Sequence, residues 1–465
     1  MVLVVLRSCY EESMRDERDE LLDIARKVVT QARGEADIAE ASVGSSWDLS
    51  ARVRLGNAEL VEEAGQRGVS LRILRNGRLA MTSTSDMSES GLQLLVKDAI
   101  ELAELSEPDP MMGPADPELI CSAPHPELDL FDQTISDIDA DEALGRATRC
   151  EQASLEADSR ITLSEGATFS RTSSTRAMVL SGGFEGAVRG SYASLHTVPV
   201  LEDSDGKKRR GFYWTAKRHQ EDLETEVAVG HEATRRTLAK LGARKVDTGD
   251  FPIIFDPDAA RAILGTFSGT IMGGALWRKS SYLLDRIDTA VASPLVTIVD
   301  DPLIPRGPGS KPFDGEGLRA RRNLVVEKGI LKTYLLDCYS ARKLSLEPTG
   351  SAARGGGSVG ASTTNFILQA GETSLEQMIA QTPRGLLVTE MMGFGFNALT
   401  GDFSRGAGGF WIEDGKIAHA VSEVTISSNL DAMLKGIELV GSDLDLKSST
   451  ASPSFRVASM TLSGS

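Results

Sequence analysis

The sequence predicts an α+β protein, with an N-terminal α/β region followed by a β-rich, mostly antiparallel C-terminal domain. Three observations carry this expectation. Before residue 242, blocks of apolar residues at helical spacing are separated by stretches in which apolar residues alternate. From Gly249 onward alternation dominates, broken only by short helical patterns near 259–277, 337–344, 374–381 and 430–436. A dense proline cluster over 107–126 divides the first region. The expected units are an N-terminal α/β domain over 19–106, a Pro-rich linker over 107–126, a central α/β segment over 127–242 and a C-terminal β-rich domain over 247–465.

The first helix is expected from about Asp19 to Gln31, because Leu21, Leu22, Ala25, Val28 and Val29 share one face and Gly34 stops it. Alternation then predicts strands at Ile38–Val43 and Asp48–Leu55. Val69–Leu74 and Arg78–Ser83 flank Asn76-Gly77, a pair suited to positive φ at both turn positions, so a type I′ hairpin is expected. A helix from Ser88 to Leu105 buries Leu92, Leu95, Val96, Ala99, Ile100 and Ala103. Beyond the linker come a helix from Asp139 to about Ala157, strands over 160–200, a solvated turn from Glu202 to Arg210, and a helix from about Leu223 to Leu241.

Composition narrows the function. The 465 residues are 41% apolar and 25% charged, enough for more than one core. Fifty Lys plus Arg stand against 67 Asp plus Glu, a formal net charge of −17 that disfavours nucleic-acid binding. Cys9, Cys121, Cys150 and Cys338 lack paired spacing, which fits inert thiols in a reducing compartment. The apolar start, Met1–Leu6, is short for a signal peptide and is soon followed by acidic residues. The uncharged stretch from Ala262 to Trp277 falls below the roughly 18 residues of a membrane span. A cytoplasmic protein without a membrane anchor is expected.

Most motifs read as structure. His231-Glu232 opens like a zinc-binding helix, but Arg235 and Arg236 occupy the positions where a second histidine would stand, and guanidiniums repel a cation. Gly393-Phe-Gly395-Phe-Asn-Ala398 matches GxGxxA, yet loop residues follow instead of the helix that a pyrophosphate needs. Asp137, Asp139 and Asp141 fit a helix N-terminus better than a calcium loop, which would need glycine at Glu142. No G-x-S-x-G elbow or P-loop occurs. His419 reads as a strand-face residue, and Lys207–Arg210 as a turn. Gly265, Gly269 and Gly273, spaced by four, predict a bare helix side against which another backbone packs. Asp300, Asp301, Asp314 and Glu316 lie among prolines and glycines and are expected to hold loops by hydrogen bonds.

A more specific set of signatures runs in order through the C-terminal half. It comprises Val299-Asp-Asp-Pro302, Pro312-Phe-Asp-Gly-Glu-Gly317, Asn323–Lys332, Tyr339–Arg342, Pro348-Thr-Gly350, Asn397–Gly406, Gly409–Lys416 and Val440–Leu444. With Val61–Gly68 and the hairpin after it, these make the chain resemble the TldD/PmbA family, labelled modulators of DNA gyrase and regarded as metalloproteases. In that family the TldD arm carries HExxxH, which holds zinc with a C-terminal cysteine; the PmbA arm, also called TldE, lacks it. Counting on from Gly249-Asp-Phe-Pro-Ile-Ile254 puts Gly265, Thr266 and Thr270 at the His, Glu and His positions, and no cysteine follows Cys338. Thr400-Gly-Asp-Phe-Ser-Arg-Gly-Ala407 is typical of the PmbA arm.

The resemblance implies a chain with no catalytic or metal-binding residue of its own, paired with a TldD-like subunit that carries the zinc. The pair would enclose a cleft for unfolded peptides. Gly393, Phe394, Gly395, Phe396, Asn397 and Phe403 are the candidate substrate-binding residues, glycines admitting a peptide backbone and phenylalanines offering apolar surface. A non-enzymatic homodimeric peptide-binding protein is the alternative, and a hydrolase using other residues a third.

Overall fold

The computed structural model describes the backbone of residues 2–355 and 358–464, with side chains from residue 17 onward. The Met1–Leu6 run and Cys9 lie outside the residues whose side chains are described. Helix α1 (Val2–Ala32) precedes β1 (Ile38–Arg54), β2 (Asn57–Arg75), β3 (Arg78–Thr84) and α2 (Glu89–Leu105). Then come α3 (Gln133–Ser136), α4 (Ala140–Glu156), β4 (Leu163–Leu180), β5 (Glu185–Glu202), β6 (Lys208–Arg210), β7 (Tyr213–Lys217) and α5 (Glu226–Leu238).

All seven strands form one antiparallel sheet, in the order β3-β2-β1-β4-β5-β6 with β7 on β5. The N-terminal and central segments therefore share a sheet. The two strands expected before residue 55 are one: the inward phase of Val43 and Ser45 resumes at Leu49, Ala51 and Val53, with only Trp47 exposed between them. Asn76 and Gly77 both take positive φ (53° and 73°), as the hairpin required. Two helical layers cover the same sheet face at different places along these long strands. α1 and α2 bury Leu21, Val28, Leu92 and Leu95 against Ala41, Val43, Leu71 and Ile73. α3, α4 and α5 cover Leu49, Ala51, Val53, Phe169 and Leu195. Near α1 and α2, the opposite face carries small polar residues (Ser42, Gly44, Gly68, Ser70) and lines a cleft to which no helix among the described residues contributes.

The helix ends follow their caps. Ser88 accepts from Gly91 N, and Asp139 from Glu142 N, which explains the Asp137–Asp141 run. α5 is shorter than expected because Thr225, not a residue before it, caps the first turn. The stretch from Glu202 to Arg210 is not wholly a solvated turn. It ends in β6, where buried Arg209 pairs with Asp203 (Nε–Oδ2 2.8 Å).

The C-terminal part runs β8 (Gly249–Phe255), α6 (Pro257–Thr270), α7 (Gly273–Trp277), β9 (Ile298–Asp300), β10 (Asn323–Glu327), β11 (Ile330–Leu331), α8 (Cys338–Leu344), β12 (Ala352–Gly355), β13 (Ser358–Ala361) and β14 (Phe366–Leu368). It continues with α9 (Leu375–Ala380), β15 (Arg384–Met392), β16 (Asp402–Glu413), β17 (Lys416–Asn429), α10 (Leu430–Lys435), β18 (Ile437–Val440), β19 (Thr450–Ala451) and β20 (Phe455–Ser463). One sheet has the order β17-β16-β15-β8-β20-β18, and β17 pairs again with β20, so it curls back on itself. A second has the order β11-β10-β9-β14-β19, and β12–β13 form a separate hairpin. Among the described strands, only β8–β15 and β14–β19 pair in parallel. α6 packs Ile263, Leu264 and Phe267 into the largest apolar core.

The four loop carboxylates do hold loops. Asp300 accepts from Thr364 N (2.6 Å), Asp301 from Leu303 N (3.0 Å) and Glu316 from Cys338 N (2.8 Å). Asp314 accepts from the backbone N–H groups of Glu316, Leu318 and Ala352. Burial pushes the Glu316 carboxyl up to about 7 and that of Asp300 to about 6. No helix among the described residues is long and apolar enough to cross a membrane.

Candidate functional site

α6 starts where Asp256 accepts from Ala259 N (2.9 Å) and Pro257 occupies the first turn. Its apolar positions turn into the core, which leaves Ala262, Gly265 and Gly269 along another side. A Cβ at Gly265 or Gly269 would meet nothing within 4 Å. This corrects the expectation of close backbone packing: the bare stripe faces open space. Only Gly273 is pressed, against Ser340 of α8.

The positions aligned with a His-Glu-His set can do little chemistry. Gly265 has no side chain. The Thr266 hydroxyl donates to Ala262 O (2.9 Å), and that of Thr270 to Phe267 O (2.6 Å), each turned back onto its own helix. Among the described residues no group of three or more His, Cys, Asp or Glu could hold a metal ion. Cys338 is buried beside Glu316, and burial pushes its thiol far above the usual range. Gly265, Thr266 and Thr270 do not fit a catalytic zinc.

Beside the N-terminal turn of α6 lies a cleft of about 780 Å³. Its walls come from Trp214 of β7, Arg236 and Lys240 on and just after α5, Glu390 and Met391 of β15, and Arg405 of β16. The charges around it are largely paired. Arg236 Nε reaches Glu232 Oε1 (2.9 Å), its Nη1 reaches Asp258 Oδ2 (3.0 Å), and Lys240 Nζ meets Glu390 Oε2 (2.6 Å). Arg405 Nε is buried without a hydrogen-bond partner among the described residues. Burial raises the Asp256 carboxyl to about 7. The Asp-Pro pair before the apolar run was the readable signal for this cap, although the sequence reading did not single out Asp256. Glu232 belongs to this network. Partial burial would raise its carboxyl, but hydrogen bonds from Arg235 and Arg236 outweigh that and lower it. His231 is exposed beside it.

The six candidate substrate residues come together where β15 ends and β16 begins, but they point in different directions. Gly393 needs its positive φ (80°). A Cβ on Gly395 would collide with Ser404 O, whose residue donates its N–H to Gly395 O (2.8 Å). Asn397 closes the turn: its N–H donates to Asp402 O (2.9 Å), and its Oδ1 accepts from Leu399 N (3.0 Å). Phe394 is 95% exposed, next to Met392 at 52% and Leu399 at 60%. Phe403, by contrast, is 2% exposed within the main core, and Phe396 packs against that core. Phe403 thus supplies no surface, because it falls on the inward positions of β16 with Ala407. No helix follows Ala398, so no dinucleotide fold forms there.

Known proteins match along most of the chain. Residues 248–464 match the PmbA/TldA metallopeptidase C-terminal domain, 39–103 its domain 1 and 133–241 its central domain. The chain is 37% identical to the metalloprotease PmbA of Escherichia coli O157:H7, over 93% of this chain and 94% of that one. It is 30% identical to a metalloprotease TldD homolog of Haemophilus influenzae, over 54% of this chain and 55% of that one. The crystal structure of a putative modulator of DNA gyrase from Bacteroides thetaiotaomicron superposes with a TM-score of 0.90 at 27% identity, covering 96% of this chain and 99% of that one.

Proposed function

Because the chain belongs to the PmbA/TldA metallopeptidase family, we propose that it is a PmbA/TldE-type, zinc-free subunit of a two-chain peptidase acting on unfolded peptides. The observation that carries this reading is the outer side of α6. Where the zinc-bearing arm would place ligands and a base, this chain has Gly265, Thr266 and the buried Thr270, and the stripe of Gly265 and Gly269 opens to solvent. Likeness to PmbA over nearly the whole chain, against half of it for a TldD homolog, supports the same arm. A TldD-like partner supplies zinc, the activated water and the glutamate base. This chain supplies cleft wall, with the bare side of α6 leaving room for a peptide backbone. The exposed apolar loop of Met392, Phe394 and Leu399 offers contact to peptide or partner. Three buried cysteines without disulfides suit a reducing compartment such as the cytoplasm.

Gly265→Trp tests the wall. Glycine is a poor helix residue and space surrounds this position, so the variant keeps or slightly raises its thermal midpoint. Turnover of an unstructured peptide by the mixed pair drops at least about tenfold, a barrier increase of about 1.4 kcal/mol. Full turnover with Trp in place would remove α6 from the peptide path. The same lack of ligands also suits a homodimeric, non-enzymatic peptide binder, which would hold peptide without any partner.

A further inference from the structure

A second cleft, of about 760 Å³, lies between the uncovered face of the seven-stranded sheet and the C-terminal part. Its floor is nearly flat backbone. Ser42 pairs across strands with Ser70, and Gly44 with Gly68, so few atoms rise above the pleat. Its walls are cationic: Arg72, Arg176, Arg218, Lys311 and Arg354 all line it. No Asp, Glu or aromatic residue is among the described residues lining it. That is the reverse of the chain as a whole, whose formal charge is −17.

The compensation of these charges is incomplete. Arg72 and Arg354 share one carboxylate, Glu40. Arg218 donates only to carbonyl oxygens, those of Gly307 (2.9 Å), Pro308 (2.8 Å) and Ser191 (3.4 Å). The Lys311 ammonium donates to Ala352 O (2.8 Å), with Asp300 and Asp314 acting on it only through space. Arg176 stands exposed on the sheet, opposite Gly44, with no hydrogen bond or ion pair among the described residues. Burial lowers the pKa of both Arg218 and Lys311, as expected of cations short of counter-charge.

We propose that this cleft binds an acidic peptide segment, its carboxylates taken by Arg176, Arg218 and Lys311 over the serine and glycine floor. Guanidinium forks match carboxylates in pairs of hydrogen bonds. The flat floor lets an extended backbone lie close, and its hydroxyls can donate or accept. A nucleic acid fits less well, because the lining offers no ring for base stacking. The binding requires no partner subunit, so it stands or falls separately from the two-chain peptidase reading.

The test uses the purified full chain and a fluorescently labelled, Glu- and Asp-rich peptide of about eight residues, with its Gln and Asn counterpart as control. Anisotropy should show saturable binding of the acidic peptide, at least about tenfold tighter than the neutral one and weakening as salt rises. Arg176→Glu should weaken binding at least about tenfold with an unchanged thermal midpoint, since Arg176 has no partner among the described residues. A second variant, Gly44→Trp, should block the floor. Equal binding of the two peptides, or acidic-peptide binding untouched by both variants, overturns the proposal. So does tighter binding by a single-stranded oligonucleotide, or displacement of the peptide by equimolar inorganic phosphate.

Discussion

Replacing Glu40 with glutamine lowers the stability of the folded chain by about 3–5 kcal/mol. The carboxylate is 5% exposed and is the shared counter-ion of Arg72 (2.9 Å) and Arg354. Burial by itself would raise the Glu40 carboxyl, but Arg354 and Arg72 outweigh it and hold it below the usual range. Removing its charge leaves two guanidiniums facing each other out of water. The effect also reaches across the molecule, because Glu40 belongs to β1 and Arg354 to β12 of the C-terminal hairpin. The sign with pH follows from the lowered carboxyl. Its stabilisation is complete above the unfolded value near 4.5 and is lost as pH falls through the lower folded value. Denaturant unfolding of both proteins at neutral and acid pH checks this: a large gap at pH 7 should narrow on acidification. A gap below about 1 kcal/mol at pH 7 would mean that water screens the site.

Asp314→Asn is expected to cost about 2–3 kcal/mol. Its two carboxylate oxygens take three backbone N–H groups, from Glu316 (2.9 Å), Leu318 (2.9 Å) and Ala352 (3.0 Å). An amide keeps one oxygen and turns an NH₂ toward N–H donors on the other side. The loop from Pro312 to Gly317 and the start of β12 lose their common anchor. Burial raises the Asp314 carboxyl, with the N–H groups opposing it, so its role is to accept hydrogen bonds in a dry site. The measurement is the thermal midpoint alongside turnover in the mixed pair. An unchanged midpoint with lost turnover would assign Asp314 to the chemistry instead of the loop.

Local features of the fold were readable from the sequence because they depend on neighbours in the chain. Ser88, Asp139 and Asn76-Gly77 act within four residues of themselves, and the structure places a cap or turn at each. The short C-terminal helices were readable as local patterns, and the structure starts α9 at a capping box of Ser374 and Gln377. What could not be read depends on what stands opposite. Glycines four apart mark a bare helix side, but whether backbone or solvent faces it is set by the surrounding sheets; at Gly265 and Gly269 it is solvent. Phe403 was expected at the surface from its loop-like neighbours, whereas the pairing of β16 with β17 turns it inward. The basic cleft was invisible because Arg72, Arg176, Arg218, Lys311 and Arg354 are scattered along the chain within an acidic composition. The Lys207–Arg210 run, a visible basic cluster, instead supplies the buried pair of Arg209 and Asp203.

On the proposed function, this chain completes a peptidase without carrying its metal. The most direct test of that function measures bound zinc and turnover of an unstructured peptide for the pure chain, for a TldD-like partner, and for the two mixed. The expected result is no stoichiometric zinc and no turnover in the pure chain, with turnover when the two are combined. Stoichiometric zinc in the pure chain, together with turnover that a chelator abolishes, would overturn that function and make this chain an enzyme in its own right.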